Sequence, residues 1–125
     1  MVLTPVTLTV LCGADEVEVA GARAAHVRDG AAKTKWLHWM DTEVMKSREV
    51  YQHHTEVTVA EKLEDFRKQM DNFQGLSFGS ISSFGPNAAV IHYHARPVSC
   101  AVANPDQIFL IDSGAQYTDG TTDVT

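Results

Sequence analysis

The stretch that most constrains this chain is its last eighteen residues, Ile108 to Thr125, which read IFLIDSGAQYTDGTTDVT. An apolar run, Ile108-Phe109-Leu110-Ile111, ends on a carboxylate, Asp112, and a second carboxylate, Asp123, follows a polar segment containing Asp119-Gly120. Apolar β-formers bounded by turn chemistry predict two antiparallel strands joined by a short loop. Two aspartates at the mouth of a strand pair suit a hard or borderline divalent cation, because carboxylate oxygens chelate one ion or bridge two. The plainer alternative is a pair of solvated aspartates at strand ends.

Turn chemistry and metal chemistry pull the register in different directions. A two-residue Asp119-Gly120 turn sets Asp123 opposite Gln116 and leaves Asp112 four residues away, about 13 Å at roughly 3.3 Å per residue. A longer loop, Gln116 to Asp119 with Gly120 at its exit, sets Asp112 directly opposite Asp123, with Cβ atoms roughly 5 Å apart on one face. The longer loop is the expectation.

Composition closes off several classes. The 125 residues are one domain's worth of material, 44% hydrophobic and 21% charged. A formal net charge of −6 argues against nucleic acid and against an anionic membrane surface as partners, since both require a basic face. Cys12 and Cys100 stand far apart with no CxxC or Cys/His metal pattern, so two free thiols in a reducing compartment are expected, and with them a cytoplasmic location. No run is long enough to span a bilayer. The opening MVLTPVTLTVLCGA lacks a basic flank and contains Pro5, so it reads as an extended segment rather than a signal peptide.

Along the chain, residues 1–14 form an entry segment and 15–125 the body. Asp15 with Glu18 predicts a capped helix start, and Val17, Ala20, Ala24, Val27, Ala31 and Met40 trace its apolar face. Trp36 and Trp39 read as core or rim anchors, and Gly30 as a weak point. Ser47–Glu56 reads as a connection whose His53-His54 are solvated, because adjacent loop histidines rarely converge on one ion. Thr58 and Glu61 predict a second capped helix carrying Leu63, Phe66 and Met70 inward. Its Glu61, Glu64, Asp65, Arg67 and Lys68 read as a solvated face, and Gln74-Gly75 as its end. Gly85-Pro86-Asn87 is turn chemistry, and Ala88-Ala89-Val90-Ile91 reads as a buried strand delivering His92, Tyr93 and His94 to solvent. Tyr93 is expected to pack and His94 to lie on the surface. Pro97 to Gln107 reads as irregular. There is neither a Walker pattern nor a GxGxxG.

The string IDSGAQYTDGTTDVT resembles the first metal-binding segment of the pita-bread metallopeptidases, and of their aminopeptidase P (Xaa-Pro aminopeptidase) family above all. Upstream, LSFGSISSFGPNAAVIHY resembles that family's segment leading to a substrate-binding histidine. The resemblance runs from about Asp15 to Thr125. It implies an α+β fold, the N-terminal half of a pita-bread (creatinase/aminopeptidase) domain, with two helices packed on an antiparallel sheet. Asp112 would then chelate one divalent ion and Asp123 bridge it to a second, with manganese expected and cobalt or zinc as alternatives. His92 would bond substrate and stabilise charge developing on the scissile carbonyl. Substrates would be peptides with proline second, whose scissile nitrogen has no N–H to recognise.

The family pattern also requires a histidine and two glutamates beyond the second aspartate, and Thr125 lies two residues past Asp123. The chain is therefore expected to be catalytically silent alone, to hold metal weakly or not at all, and to self-associate or pair with a complementary piece. The intact protein is expected to be a homodimer. A competing reading is a non-catalytic pita-bread module that binds other proteins. Retention of Asp112, Asp123 and His92 favours the enzyme.

Overall fold

A computed structural model describes residues 15–46 and 53–125. The expected entry segment 1–14, with Cys12, lies outside the described residues, as do residues 47–52 of the connection. The first helix, α1 (Glu16–Trp39), starts where the sequence predicts: Asp15 Oδ1 accepts from Glu18 N at 2.8 Å, and Glu18 returns the bond to Asp15 N. It runs through Gly30 without a break and passes into a π-helical turn, Met40–Met45.

Its buried face differs from the expected one. Met40 is buried as expected, but Val17 and Val27 are 79% and 74% exposed, and Ala25, Asp29, Ala32 and Trp36 are the buried positions of the helix. Alanines stand on every side of this helix, so apolar spacing alone selects no face. What selects it is the close approach of the partner layer. A Cβ on Gly21 would strike the Asp119 carbonyl, and one on Gly120 would lie 2.9 Å from Ala22 Cα.

The second helix, α2 (Glu56–Lys68), starts three residues earlier than expected. Thr55 is the N-cap and shares a capping box with Thr58. Glu61 is exposed. The helix ends at Lys68, and Gln74-Gly75 belongs to strand β1 (Phe73–Leu76), whose register is bulged between Phe73 and Gly75. The charged face is not uniformly solvated either. Arg67 is fully buried and forks onto Asp29 of α1, with Nε–Oδ1 at 2.7 Å and Nη2–Oδ2 at 3.0 Å.

The sheet expected as one is split in two. β2 (Ile81–Phe84) pairs antiparallel with β3 (Phe109–Asp112), and β1, β4 (Ala115–Tyr117) and β5 (Gly120–Thr121) form a separate antiparallel sheet in the order β1-β4-β5. Helix α2 lies across β1 and β2, while α1 packs on α2 and β5. The main core holds Trp36, Met40, Val44, Val59, Leu63, Phe84 and Ala103. Each fully buried large apolar side chain there contributes roughly 1.5–3 kcal/mol. Phe84 stacks on its cross-strand partner Phe109 at 4.4 Å, and the Trp36 indole donates to Val59 O. A smaller cluster of Ala25, Ala115 and Tyr117 lies under the β4–β5 hairpin.

The predicted strand Ala88–Ile91 is absent. Gly85–Ala89 forms a 3-10 turn, and Val90 and Ile91 are 54% and 85% exposed. The strand lies earlier, at Ile81–Phe84, where Ser82 and Ser83 are buried with the apolar residues. Pro86, lacking a backbone N–H, could not sustain a ladder at that point.

Candidate metal centre

Strand β3 ends on Asp112, which pairs with Ile81 across the β2–β3 sheet. The chain then crosses from one sheet to the other through Ser113 and Gly114. Ser113 exchanges backbone bonds with Val124 at 3.2 and 3.1 Å. Gly114 sits where a Cβ would collide with Thr122 O and Ser77 Oγ, so only glycine fits the crossing. The buried Arg67 holds it from below, donating to Ser113 Oγ at 3.2 Å and more loosely to Gly114 O at 3.4 Å. Tyr117 OH donates to Asp29 Oδ1, closing the network. Desolvation, followed by the charge of Asp29, pushes the Tyr117 hydroxyl pKa far up, so it stays a donor.

The hairpin that returns to Asp123 takes neither register weighed from the sequence. Tyr117 pairs with Gly120 and Gln116 with Thr121, so the loop is Thr118-Asp119. The Arg28–Asp119 ion pair pins its tip to α1, and the hydrogen bond from Arg28 holds the Asp119 carboxyl below its usual range. Carried outward through the Ser113–Val124 pair, this register sets Asp112 across from Thr125 and Asp123 across from Gly114. The slip from the expected register is two residues, an even number, so both aspartates keep the same face. They become diagonal rather than direct neighbours, with backbones roughly 7–8 Å apart, still within reach of a shared ion.

Both line one cleft of ≈ 320 Å³. Phe78, Gly79 and Ile81 form its apolar wall, and His92, His94, Asp112 and Asp123 bring the titratable groups. An adjoining cleft of ≈ 260 Å³ shares His92 and Asp112 and is otherwise largely apolar, with Ile81, Val90, Ile91 and Leu110 in its wall. His94, expected on the surface, is exposed and also faces the first cleft.

Asp112 Oδ1 is buried without a hydrogen-bond partner among the described residues. A buried carboxylate oxygen left without a donor carries a desolvation cost that a cation would remove. Lys33 Nζ donates to Val124 O at 3.0 Å. Its pKa is lowered by desolvation and then by Arg67, against a smaller raising pull from Asp29, Asp112 and Asp123. The residues present thus fit part of a cation site. Among the described residues no three His, Cys, Asp or Glu side chains gather to hold one ion.

His92 rides on an irregular segment with φ of +54°, a left-handed conformation uncommon for a residue with a side chain. The segment is tied to the buried Glu56 at the start of α2. Glu56 Oε1 accepts from Phe84 N at 2.7 Å and Asn87 Nδ2 at 3.0 Å, and Oε2 from Tyr93 OH at 2.7 Å and Ala101 N at 2.9 Å. Burial would raise the Glu56 pKa, but these four bonds outweigh it and hold the carboxyl below its ordinary value. The Tyr93 hydroxyl, bonded to that carboxylate, is pushed up to about 12. Tyr93 is thus a polar tie as well as a packing residue. His54 is half-buried, edge-on to Trp39 at 5.1 Å, with its pKa lowered by desolvation and by His53, which is exposed.

Glu56, Arg67 and Asp29 escape a reading by charge. A signal was present: Val59, Leu63 and Arg67 recur every four residues, as do Ala25 and Asp29, so both charges fall on apolar stripes.

The family model described as Metallopeptidase family M24 matches residues 20–125. The chain belongs to this family. Among curated relatives, a probable Xaa-Pro aminopeptidase P from Paracoccidioides lutzii is 50% identical over 111 residues, which are 89% of this chain and 18% of that protein. One from Aspergillus fumigatus is 52% identical over the same share of this chain and 16% of its own length. In three dimensions the M24 chain superposes with a TM-score of 0.78 on an X-prolyl aminopeptidase from Caenorhabditis elegans, described as a cytosolic enzyme with a di-nuclear active site. That match is 38% identical and covers 87% of this chain and 17% of the other. The α+β arrangement is accordingly part of a pita-bread domain. The chain spans less than a fifth of the length of these relatives. No helix among the described residues is long and apolar enough to cross a membrane.

Proposed function

We propose that this chain is part of a dinuclear-metal aminopeptidase that hydrolyses the N-terminal Xaa-Pro peptide bond, with residues 15–125 as the N-terminal half of its catalytic domain. The observation that carries the reading is the shared cleft of Asp112, Asp123 and His92, together with the buried Oδ1 of Asp112, which has no hydrogen-bond partner among the described residues. Relatives named as Xaa-Pro aminopeptidases support it.

In this reading Asp112 and Asp123 would contribute to holding two divalent ions, manganese being the first choice and cobalt or zinc the alternatives. Such ions supply Lewis acidity toward the carbonyl and a nucleophilic water near neutral pH. The chain's own residues do the rest. His92 lines the same cleft as the two carboxylates and is read as the donor to an oxygen on which charge develops. The neighbouring cleft offers an apolar wall to an apolar part of the peptide. Arg67 keeps the Ser113–Gly114 crossing, and so the backbone beside Asp112, fixed. The intact enzyme is read as a cytoplasmic homodimer.

The 125 residues alone are read as silent, because among the described residues no third ligand joins the two carboxylates, which by themselves define neither coordination number nor geometry. Manganese-dependent hydrolysis of an Xaa-Pro-Pro peptide tests both statements. Activity is expected in the complete polypeptide that contains this sequence, its loss in the Asp123→Ala variant, and none in the isolated chain. Turnover by the purified isolated chain would overturn its assigned silence. A complete protein that binds manganese but cleaves no such peptide would point instead to a non-catalytic pita-bread module.

A further inference from the structure

We propose that Glu56 is the positioning residue for His92. The inference rests on the reading of His92 as the donor to the oxygen on which charge develops, but its geometry stands apart from that reading. Glu56 is fully buried, and one carboxylate carries four bonds from four separate places. Phe84 N is the last amide of β2, Asn87 lies in the 3-10 turn, Tyr93 directly follows His92, and Ala101 N anchors the return of the loop. The segment between Phe84 and Tyr93 is therefore gripped at both ends and in its middle by a single group.

Inside that grip the chain folds tightly. Val90 N bonds Asn87 O at 3.1 Å and Tyr93 N bonds Val90 O at 3.2 Å, leaving His92 in the left-handed region. A left-handed backbone at a non-glycine residue costs of order 1–2 kcal/mol and persists only where its surroundings hold it. His92 is itself exposed, so little packs on its side chain to supply that hold. The Glu56–Tyr93 and Glu56–Phe84 bonds do. The carboxylate also fastens Asn87, which donates 3.0 Å bonds to both Glu56 and Tyr93, so the clamp is cross-braced.

A carboxylate is required because all four partners donate. Glutamine offers one accepting oxygen, and its NH2 would face either the Phe84–Asn87 pair or the Tyr93–Ala101 pair, donor against donor. Tyr93→Phe would remove the hydroxyl tie next to His92 and its brace to Asn87, leaving the three other bonds to Glu56 in place.

The Cα shift and the HN–Hα coupling of His92, which follow φ, and its imidazole cross-peaks read the clamp directly in the 125-residue chain. Glu56→Gln is expected to move His92 out of the left-handed region, and Tyr93→Phe to move it part-way. Glu61→Gln on the exposed side of the same helix should leave it alone. In the complete enzyme, Glu56→Gln is expected to lower kcat about tenfold or more, with KM and manganese affinity within about twofold, as for a group acting only in the transition state. A folded Glu56→Gln chain with wild-type His92 shifts and coupling overturns the proposal, whatever its melting temperature. Should the isolated variant not fold, an unchanged kcat in the complete Glu56→Gln enzyme overturns it equally. Displaced His92 signals in a protein whose complete wild type cleaves no Xaa-Pro peptide would leave the clamp standing and remove the aminopeptidase reading.

Discussion

At the scale of single residues, the aspartates differ in what surrounds them. Asp112 has a buried oxygen without a donor among the described residues, whereas Asp123 is exposed. Asp112→Asn should therefore cost the complete protein more than tenfold in manganese affinity by calorimetry. It should leave folding stability equal or slightly higher, because a buried charge is removed. Glu56 supplies the opposite case. Its folded pKa is lowered from an ordinary 4.5, so its stabilisation is fully present above that value and is lost as pH falls through the lower folded one. Urea unfolding below pH 4.5 should show a loss of stability that is markedly smaller in Glu56→Gln, whose starting stability is already reduced. An equal slope in both chains would assign the acid sensitivity to other carboxylates.

Among elements, the β3–β4 crossing decides where Asp112 ends up, and two features hold it. The first is the buried Asp29–Arg67 pair, with its bonds to Ser113 and Gly114. Arg67→Ala would leave Asp29 charged in the interior, and denaturant titration should find it about 3–5 kcal/mol less stable. An Asp29→Leu, Arg67→Met double variant should regain much of that loss while losing the tie to Ser113. The second feature is Gly114, where a methyl group would meet the Thr122 carbonyl and Ser77 Oγ. Gly114→Ala is expected to cost ~3 kcal/mol or more, and to weaken manganese binding as the crossing shifts. Stability within ~0.5 kcal/mol of wild type would show that the crossing yields more readily than its contacts imply.

For the molecule as a whole, the exposed apolar residues lie partly on α1, as Val17, Val27 and Leu37, and partly on the connections. Ile91, Val98 and Ile108 are 85%, 94% and 79% exposed, with Val90 and Val102 also outside. Apolar surface of this kind favours association. Light scattering of the isolated chain should give a mass that rises with concentration, and Ile91→Ser with Val98→Ser should lower it. A monomer at every concentration would mean that these residues do not meet in a common patch.

Some of this was written in the sequence. The Asp15–Glu18 cap, the inward Trp36 and Leu63, and the face shared by Asp112 and Asp123 follow from short-range rules: capping chemistry, helical period and strand parity. The hairpin register was not legible, because Gly21 and Gly120 let α1 press on the loop and Arg28 grips Asp119, ninety-one residues away. Nor was the supposed strand at Ala88–Ile91, whose apolar residues face outward once Glu56 has claimed the amide of Phe84 and the side chain of Asn87. Arg67 read as solvated because charge is normally outside, and only a carboxylate arriving from another helix makes its burial tolerable. Local bonds and periodicity belong to the sequence. Which charges pair across the core, and which loops they hold, is settled only when distant elements meet, since that energy depends on neighbours no local window contains.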